Sequence, residues 1–265
     1  MYDHSPLLAA WRQLWTASPY PQLVDHHEGP PEQICPAPSL WSGGKAVYER
    51  LEQLGARPGE RLGVVLRGGA AWVQAMLGAR RARVVFEPLG AGALASLRAE
   101  VRPHWLVEGA DLEPRRTDSA APLCVGAAWR LAGEVLSEAE LLAESARLER
   151  VYPQGRARRV LSLAPWRDPE GALFAFSALR RGAELHLGLS PAHLGRLDPD
   201  ESWPELLAAA PPAWSELLAR SERGWARSLR AGVVLGGDAE EWGELPWSLT
   251  SWSPATAPLA DGAAP

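Results

Sequence analysis

Three short stretches of this sequence hold residue types that do chemistry. "WSGGKA" (Trp41 to Ala46) pairs glycines with the chain's one lysine, Lys45, as phosphate-binding loops do. It lacks the first glycine of G-x-x-x-x-G-K-[ST], and Ala46 stands where a magnesium-binding hydroxyl is needed, so it reads as a helix start. "LGAGALA" places Gly90, Gly92 and Ala95 in the G-x-G-x-x-A spacing of a dinucleotide fingerprint, with Asp111 near the distance of a ribose-binding acid. A strand and helix already precede it, whereas the fingerprint marks the first βα turn of its unit. "VDHHEG" (Val24 to Gly29) gathers acid and imidazole groups suited to a metal, but adjacent residues diverge on a strand, and a hairpin turn is the reading. No G-x-S-x-G elbow occurs, and Cys35 and Cys124 lie far apart with no C-x-x-C pair. No catalytic or metal-ligating residue is assigned.

A fourth stretch, "PLCVGAAWRLAGEVLSEAELL" (Pro122 to Leu142), poses a sharper question. It reads as a strand over Leu123–Val125, a loop, and a helix opened by the Ser137–Glu140 capping box. Loops between a strand and a helix hold phosphates in many α/β proteins. This one carries Trp129, Arg130 and Leu131 at its middle, without a run of glycines and hydroxyls.

The elements around these stretches alternate. "SGGKAVYERLEQLG" puts Val47, Leu51 and Leu54 on one helical face and stops at Gly55. Strand "RLGVVL", helix "GAAWVQAMLGARRA", strand "RVVFEPL", helix "AGALASLRAEV" and strand "HWLVEG" follow. After an irregular segment, Asp111 to Ala121, come strand "RVLSLAPW", helix "GALFAFSALRRG" and strands "AELHL" and "RAGVVLGG". Such alternation argues for mainly parallel sheets with right-handed crossovers. The expected organisation is two Rossmann-like lobes, residues 1–115 with an N-terminal lead-in and 116–255, then a disordered tail, 256–265. No repeat of about 20 to 50 residues stands out.

Composition narrows the function classes. A 265-residue chain with 46% hydrophobic residues can bury a substantial core. A net charge of −5 argues against general nucleic-acid affinity, and the arginine clusters at 80–83 and 156–159 read as solvated faces. No apolar run approaches the roughly 18 residues that span a bilayer. Asp3, His4 and Arg12 interrupt any signal-peptide pattern, so a cytoplasmic location is expected. The absence of Asn, with single Lys and Ile residues, suits a GC-rich coding sequence.

One resemblance accounts for the order of these pieces. "YERLEQLGARPGERLGVVLRGGAAWVQAMLGARRARVVFEPLG" (Tyr48 to Gly90) resembles the opening signature of AMP-forming acyl- and aryl-CoA synthetases, where "LGVRPGDRV" is followed by a strand, a helix and "GAVYVPL". "VLSLAPWRDPEGALFAFSALRRGAELHL" (Val160 to Leu187) is similar to that family's "LSLAPLFHxxGLF…LLxGAxLVL" segment, and "RAGVVLGGDAEE" to the strand ending in "SGGAPL". The resemblance runs from about Leu7 to Pro258. It implies that the family's phosphate loop, "TSGTTGxPKGV", falls on Val125–Val135. There Gly126, Ala128 and Trp129 replace hydroxyls, and Gly133 or Glu134 replaces the lysine. The aromatic–histidine pair of the acyl pocket aligns with Arg167 and Asp168, and "YGxTE" falls near Trp252–Thr256 without its Thr and Glu in place. The chain is expected to stop before the third subdomain and the C-terminal domain with its second lysine.

On this frame Gly236 and Gly237 are the remaining candidate cofactor-binding positions, at the adenine-facing strand end. Trp129, Arg130 and Trp252 are expected to occlude the degenerate nucleotide site, with no cofactor bound. The function implied is a catalytically degenerate synthetase-like protein, a binding or partner subunit. It would pair with another protein chain (a second copy or an intact synthetase) through Trp242, Trp247 and Trp252, and take an acyl or aryl small molecule. The alternatives are an active acyl-CoA ligase with an altered site and a dinucleotide-binding oxidoreductase resting on Gly90, Gly92 and Ala95.

Overall fold

The architecture was obtained as a computed structural model that describes residues 5–16, 22–26, 33–66, 68–90, 92, 95, 97–109, 111–150, 159–194, 204–219, 229–239 and 248–253. Two β-sheets carry it. The six-stranded sheet is built from β3 (Arg61–Val64), β4 (Val85–Pro88), β5 (Trp105–Val107), β6 (Arg115–Arg116), β7 (Trp129–Leu131) and β8 (Glu134–Leu136), in the order β6-β5-β3-β4-β7-β8. The seven-stranded sheet holds β1 (Gln22–Asp25), β2 (Gln33–Pro36), β9 (Arg159–Ser162), β10 (Glu184–Leu187), β11 (Leu206–Ala209), β12 (Ala231–Leu235) and β13 (Ser248–Trp252), in the order β13-β12-β11-β9-β10-β1-β2. Pairing is parallel except at β1–β2, β5–β6 and β7–β8. This is the expected mixed α/β class with two mainly parallel sheets. Strands β3, β4, β11 and β12 are buried at every position, as strands covered on both faces must be.

Helices fill the crossovers. They are α1 (Pro6–Thr16), α2 (Ala37–Gln53), α3 (Gly69–Arg81), α4 (Glu138–Glu149), α5 (Pro169–Arg180), the single turn α6 (Pro191–Leu194) and α7 (Pro211–Ala219). Helix α5 is buried from Gly171 through Leu179, the pattern of a helix packed on all sides. Helices α2 and α3 meet through glycines. A Cβ on Gly44 would stand 2.6 Å from the Leu77 Cβ, and one on Gly78 would stand 2.5 Å from the Val47 Cβ. Glu138, the first residue of α4, joins three elements: it accepts from the Ser5 hydroxyl at 2.7 Å, the Leu7 N–H at 3.1 Å, and the Arg80 guanidinium. The Ser137–Glu140 capping box is formed in both directions. One hydrophobic core spans both sheets, and a smaller one gathers around Trp214 under α7. No helix among the described residues is long and apolar enough to cross a membrane.

Several expectations shift. The 115/116 boundary falls inside the six-stranded sheet, because β6, β7 and β8 join β3–β5, while β1 and β2 join the other sheet. The Asp111–Ala121 segment contains edge strand β6, which two adjacent arginines do not announce. Helix α2 begins at Ala37, so Gly43 and Gly44 lie in its interior, and Leu54 is its exposed C-cap rather than a core residue. Of the expected helix over residues 91–101, positions 91, 93, 94 and 96 lie outside the described residues, and residues 97–101 form an irregular turn rather than a helix. "LLAAAPPAWSELLA" looks in sequence like a proline-rich connection, yet it forms strand β11 and helix α7, its prolines opening the helix where they cost least.

Candidate functional site

The stretch of Leu123–Val125 is not a strand. Leu123 and Val125 are 49% and 78% exposed, and the strand begins four residues later, where Trp129 and Leu131 turn inward around Arg130. Nor is a loop present between Gly126 and Val135. Strands β7 and β8 form a hairpin in the register Trp129↔Leu136, Arg130↔Val135, Leu131↔Glu134. Its two turn residues, Ala132 (φ 47°) and Gly133 (φ 93°), carry the φ signs of the tight type I′ turn that suits strand twist. Backbone donors nearby are committed: the Ala127 N–H to the Cys124 oxygen at 3.2 Å and the Ala128 N–H to the Leu136 oxygen at 2.7 Å.

Trp129 lies inside the main core. It is 1% exposed, and its ring centroid stands 5.5 Å from Trp72, 5.4 Å from Phe86 and 5.6 Å from Phe176. The alternation Trp-Arg-Leu sends Arg130 to the other face, where its Nη1 donates to the Glu87 Oε1 at 3.0 Å and its Nε to the Gly133 oxygen at 3.3 Å. The second Glu87 oxygen faces the buried Arg61 Nη1 at 3.4 Å. Burial pushes the Glu87 carboxyl up to about 7, with Arg61 pulling it back down.

Trp252 ends β13 and is 4% exposed, covered by the Arg147 guanidinium 5.3 Å over its ring. Arg147 also donates to the Ser253 carbonyl, tying α4 to that strand end. A buried Trp252 is not available as a contact for another chain. Trp242, Trp247 and Pro254–Thr256 lie outside the described residues. Gly236 and Gly237 follow β12. The Gly236 N–H donates to the Trp252 oxygen at 3.0 Å, and a Cβ on Gly237 would stand 2.3 Å from the Pro211 Cγ. Both glycines thus have local structural duties at the carboxyl end of the sheet.

Of the other candidates, Gly90 and Gly92 follow β4, with Gly92 at φ 81° and nothing near its Cα substituent position, while Ala91, Ala93 and Leu94 lie outside the described residues. His26 stacks on His186 with a 3.1 Å nitrogen–nitrogen contact, and His186 meets Glu184 at 2.8 Å. Cys35 and Cys124 are free thiols. Among the described residues no group of three metal-ligating side chains forms.

The structure gathers a site that sequence reasoning did not anticipate as a unit. A cavity of about 550 Å³ opens outside the carboxyl ends of four parallel strands, two from each sheet. Val65 and Leu66 follow β3, Leu89 follows β4, Ser162 to Arg167 end and follow β9, and Leu187 to Ser190 end and follow β10. Carboxyl ends of parallel strands are where open α/β sheets hold ligands. Arg167 is at the rim, its Nε 3.7 Å from the Asp168 carboxylate, with both side chains more than half exposed. Trp166 carries the central core to the cavity wall, standing edge-on to Trp72 at 5.0 Å. The Ser162 hydroxyl and the Trp166 indole N–H are buried with no hydrogen-bond partner. The available signal was position: each segment directly follows an apolar strand.

No family model matches the sequence, and no curated protein matches it significantly. Solved structures do match. CmiS6 superposes with a TM-score of 0.70 at 17% identity over 90% of this chain and 67% of its own. The inhibitor-bound N-terminal domain of FACL13 from Mycobacterium tuberculosis gives 0.66 at 13% identity over 87% of this chain and 70% of that one. The o-succinylbenzoate CoA synthetase of Bacillus subtilis gives 0.62 at 14%, over 87% of this chain and 54% of its own length. At these identities the likeness is one of fold: this chain has the mixed α/β fold of the N-terminal domain of AMP-forming acyl- and aryl-CoA synthetases.

Proposed function

We propose that this protein is a catalytically degenerate acyl-CoA synthetase-like protein that binds an acyl or aryl small molecule without adenylating it, and that it acts as a binding or partner subunit. The observation that carries the proposal is the two-residue turn at Ala132–Gly133. Cradling a triphosphate takes several free backbone N–H groups, hydroxyls and a cation, arranged around the anion. The hairpin supplies a tight turn, Glu134 brings a negative charge, and the nearest cation, Arg130, is engaged by Glu87. Trp129 and Trp252 support the reading by filling the interior with their own indoles. Gly236 and Gly237 are the positions that would face a nucleotide if one bound. Among the described residues strand β8 is the outer edge of its sheet, with Val135 exposed, and an edge strand is where a partner chain can add.

ATP–pyrophosphate exchange with a panel of aliphatic and aromatic carboxylic acids tests this. The expected result is no exchange with any acid. Exchange above background that disappears in an Arg130→Ala or Glu134→Ala variant would place a working site at the hairpin and overturn the proposal.

A further inference from the structure

We propose that the amino end of the six-stranded sheet docks an acidic segment of a partner protein, one or two aliphatic or aromatic side chains flanked by carboxylates. The inference rests on the partner role proposed above and adds a surface to it, at the opposite end of the strands from the cavity. Strands β3, β4 and β7 are neighbours and run parallel, so the segments that lead into them meet at one end of the sheet. Backbone bonds tie those segments together: the Gly59 N–H donates to the Arg83 oxygen at 2.9 Å, and the Cys124 N–H to the Gly59 oxygen at 2.8 Å.

The side chains set the partner's chemistry. The segment before β7 leaves Leu123 and Val125 49% and 78% exposed, on a backbone anchored by the Cys124 and Ala127 N–H groups. Arg57 and Arg83, on the two neighbouring segments, are exposed, and among the described residues neither guanidinium is ion-paired. Residues 54–59, 82–83 and 122–127 contain no acid, and Glu60 is buried against the Trp105 indole. Arg83 also sits at φ 57°, one residue past the Ala82 C-cap of α3, where glycine is usual because a Cβ is strained there. Its side chain makes no polar contact among the described residues to offset that strain, as suits a residue kept for an outside ligand. Membranes draw proteins by charge through clusters of about four to eight basic residues. Two arginines on a chain of net charge −5 therefore favour a carboxylate-bearing peptide over an anionic bilayer.

The test uses the full chain and labelled peptides in which Leu-Leu, Phe-Phe or Trp-Trp is flanked on each side by a Glu-Glu pair, each matched with its Gln counterpart. Fluorescence anisotropy at low ionic strength is expected to show at least one acidic peptide binding about three- to tenfold tighter than its counterpart, the worth of two exposed ion pairs. The difference should shrink as salt is added. Arg83→Gly should weaken that peptide by about two- to fivefold, the loss of one such pair. The same variant should keep or raise the melting temperature of the free protein, because glycine takes the positive φ without strain. Val125→Ser should also weaken the peptide, with little effect on stability at so exposed a position. Equal affinity for acidic and Gln peptides, affinity untouched by both variants, or no binding by any peptide overturns the surface. So does sedimentation with phosphatidylserine vesicles, or self-association, that the two variants abolish, since the occupant would then be a membrane or a second copy. ATP–pyrophosphate exchange in the same preparation would sink the partner role alone, whereas the peptide titrations decide this surface.

Discussion

Replacing Trp129 by alanine separates a core tryptophan from a loop tryptophan. The side chain is 1% exposed and meets Trp72, Phe86 and Phe176 at centroid distances of 5.4–5.6 Å. Truncating a buried Trp or Phe to alanine costs about 3–5 kcal/mol through lost transfer energy and the cavity left behind. Each edge-on or tilted ring pair adds about 0.5–1.5 kcal/mol beyond its buried area. With three such pairs the expectation is no lower than the middle of that range, about 4 kcal/mol. At this chain length about 1 kcal/mol moves the midpoint by about 2–4 °C, so the melting temperature should fall by about 8–16 °C. Urea unfolding followed by far-UV circular dichroism gives the free energy directly. Should Trp129→Ala not accumulate folded, Trp129→Phe keeps part of the contacts and should cost a smaller but measurable amount. A loss below about 1 kcal/mol would refute the core placement, since surface substitutions rarely exceed about 0.5 kcal/mol. Trp129→Ala should also leave ATP unbound, because β7 and β8 still close in a two-residue turn. ATP binding gained by this variant would instead mean that the indole plugs a nucleotide site.

Two further expectations follow from packing and charge. Gly78→Ala puts a methyl 2.5 Å from the Val47 Cβ between α2 and α3, and should destabilise by about 1–3 kcal/mol, measured by urea unfolding. No loss would mean that the helices do not approach this closely. Burial pushes the Glu60 carboxyl up, but the Arg57 N–H, the Trp105 indole N–H, Arg116 and His104 outweigh it and hold the group below the usual carboxylate range. A depressed folded-state value makes its contribution present above the unfolded-state value of about 4.3 and lost as pH falls through the folded one. Stability measured from pH 6 downward should therefore fall less steeply in Glu60→Gln than in the natural sequence; equal slopes would remove Glu60 from the acid response.

Local rules made much of this fold legible in the sequence. Apolar runs of four or five residues bounded by turns announce β3, β4, β9, β10 and β12, and the Ser137–Glu140 spacing fixes the start of α4. Each of these depends on residues within one or two turns of each other. The aligned motifs from Tyr48 to Leu187 located the same chain order that the two sheets display. Composition and motif loss likewise marked the Val125–Val135 stretch as chemically unlike a phosphate loop.

Other features depended on partners distant in sequence. The hairpin at Trp129–Leu136 exists because Phe86, more than forty residues earlier, pairs with Trp129 and draws it inward; without that partner, Leu123–Val125 looks equally apolar. Gly43 and Gly44 resemble a phosphate motif until α3 closes on them and shows that their bare Cα atoms make room for Gln74 and Leu77. The arginine after Trp129 is a partly buried ion-pair partner only because β4 sets Glu87 beside it. The cavity draws its walls from four strand ends spread from Val65 to Ser190, and no window of sequence contains them together. Pairing and packing across such separations are set by the sum of many weak contacts over the whole chain, which is why the site's position was decided by the tertiary structure while its elements were decided locally.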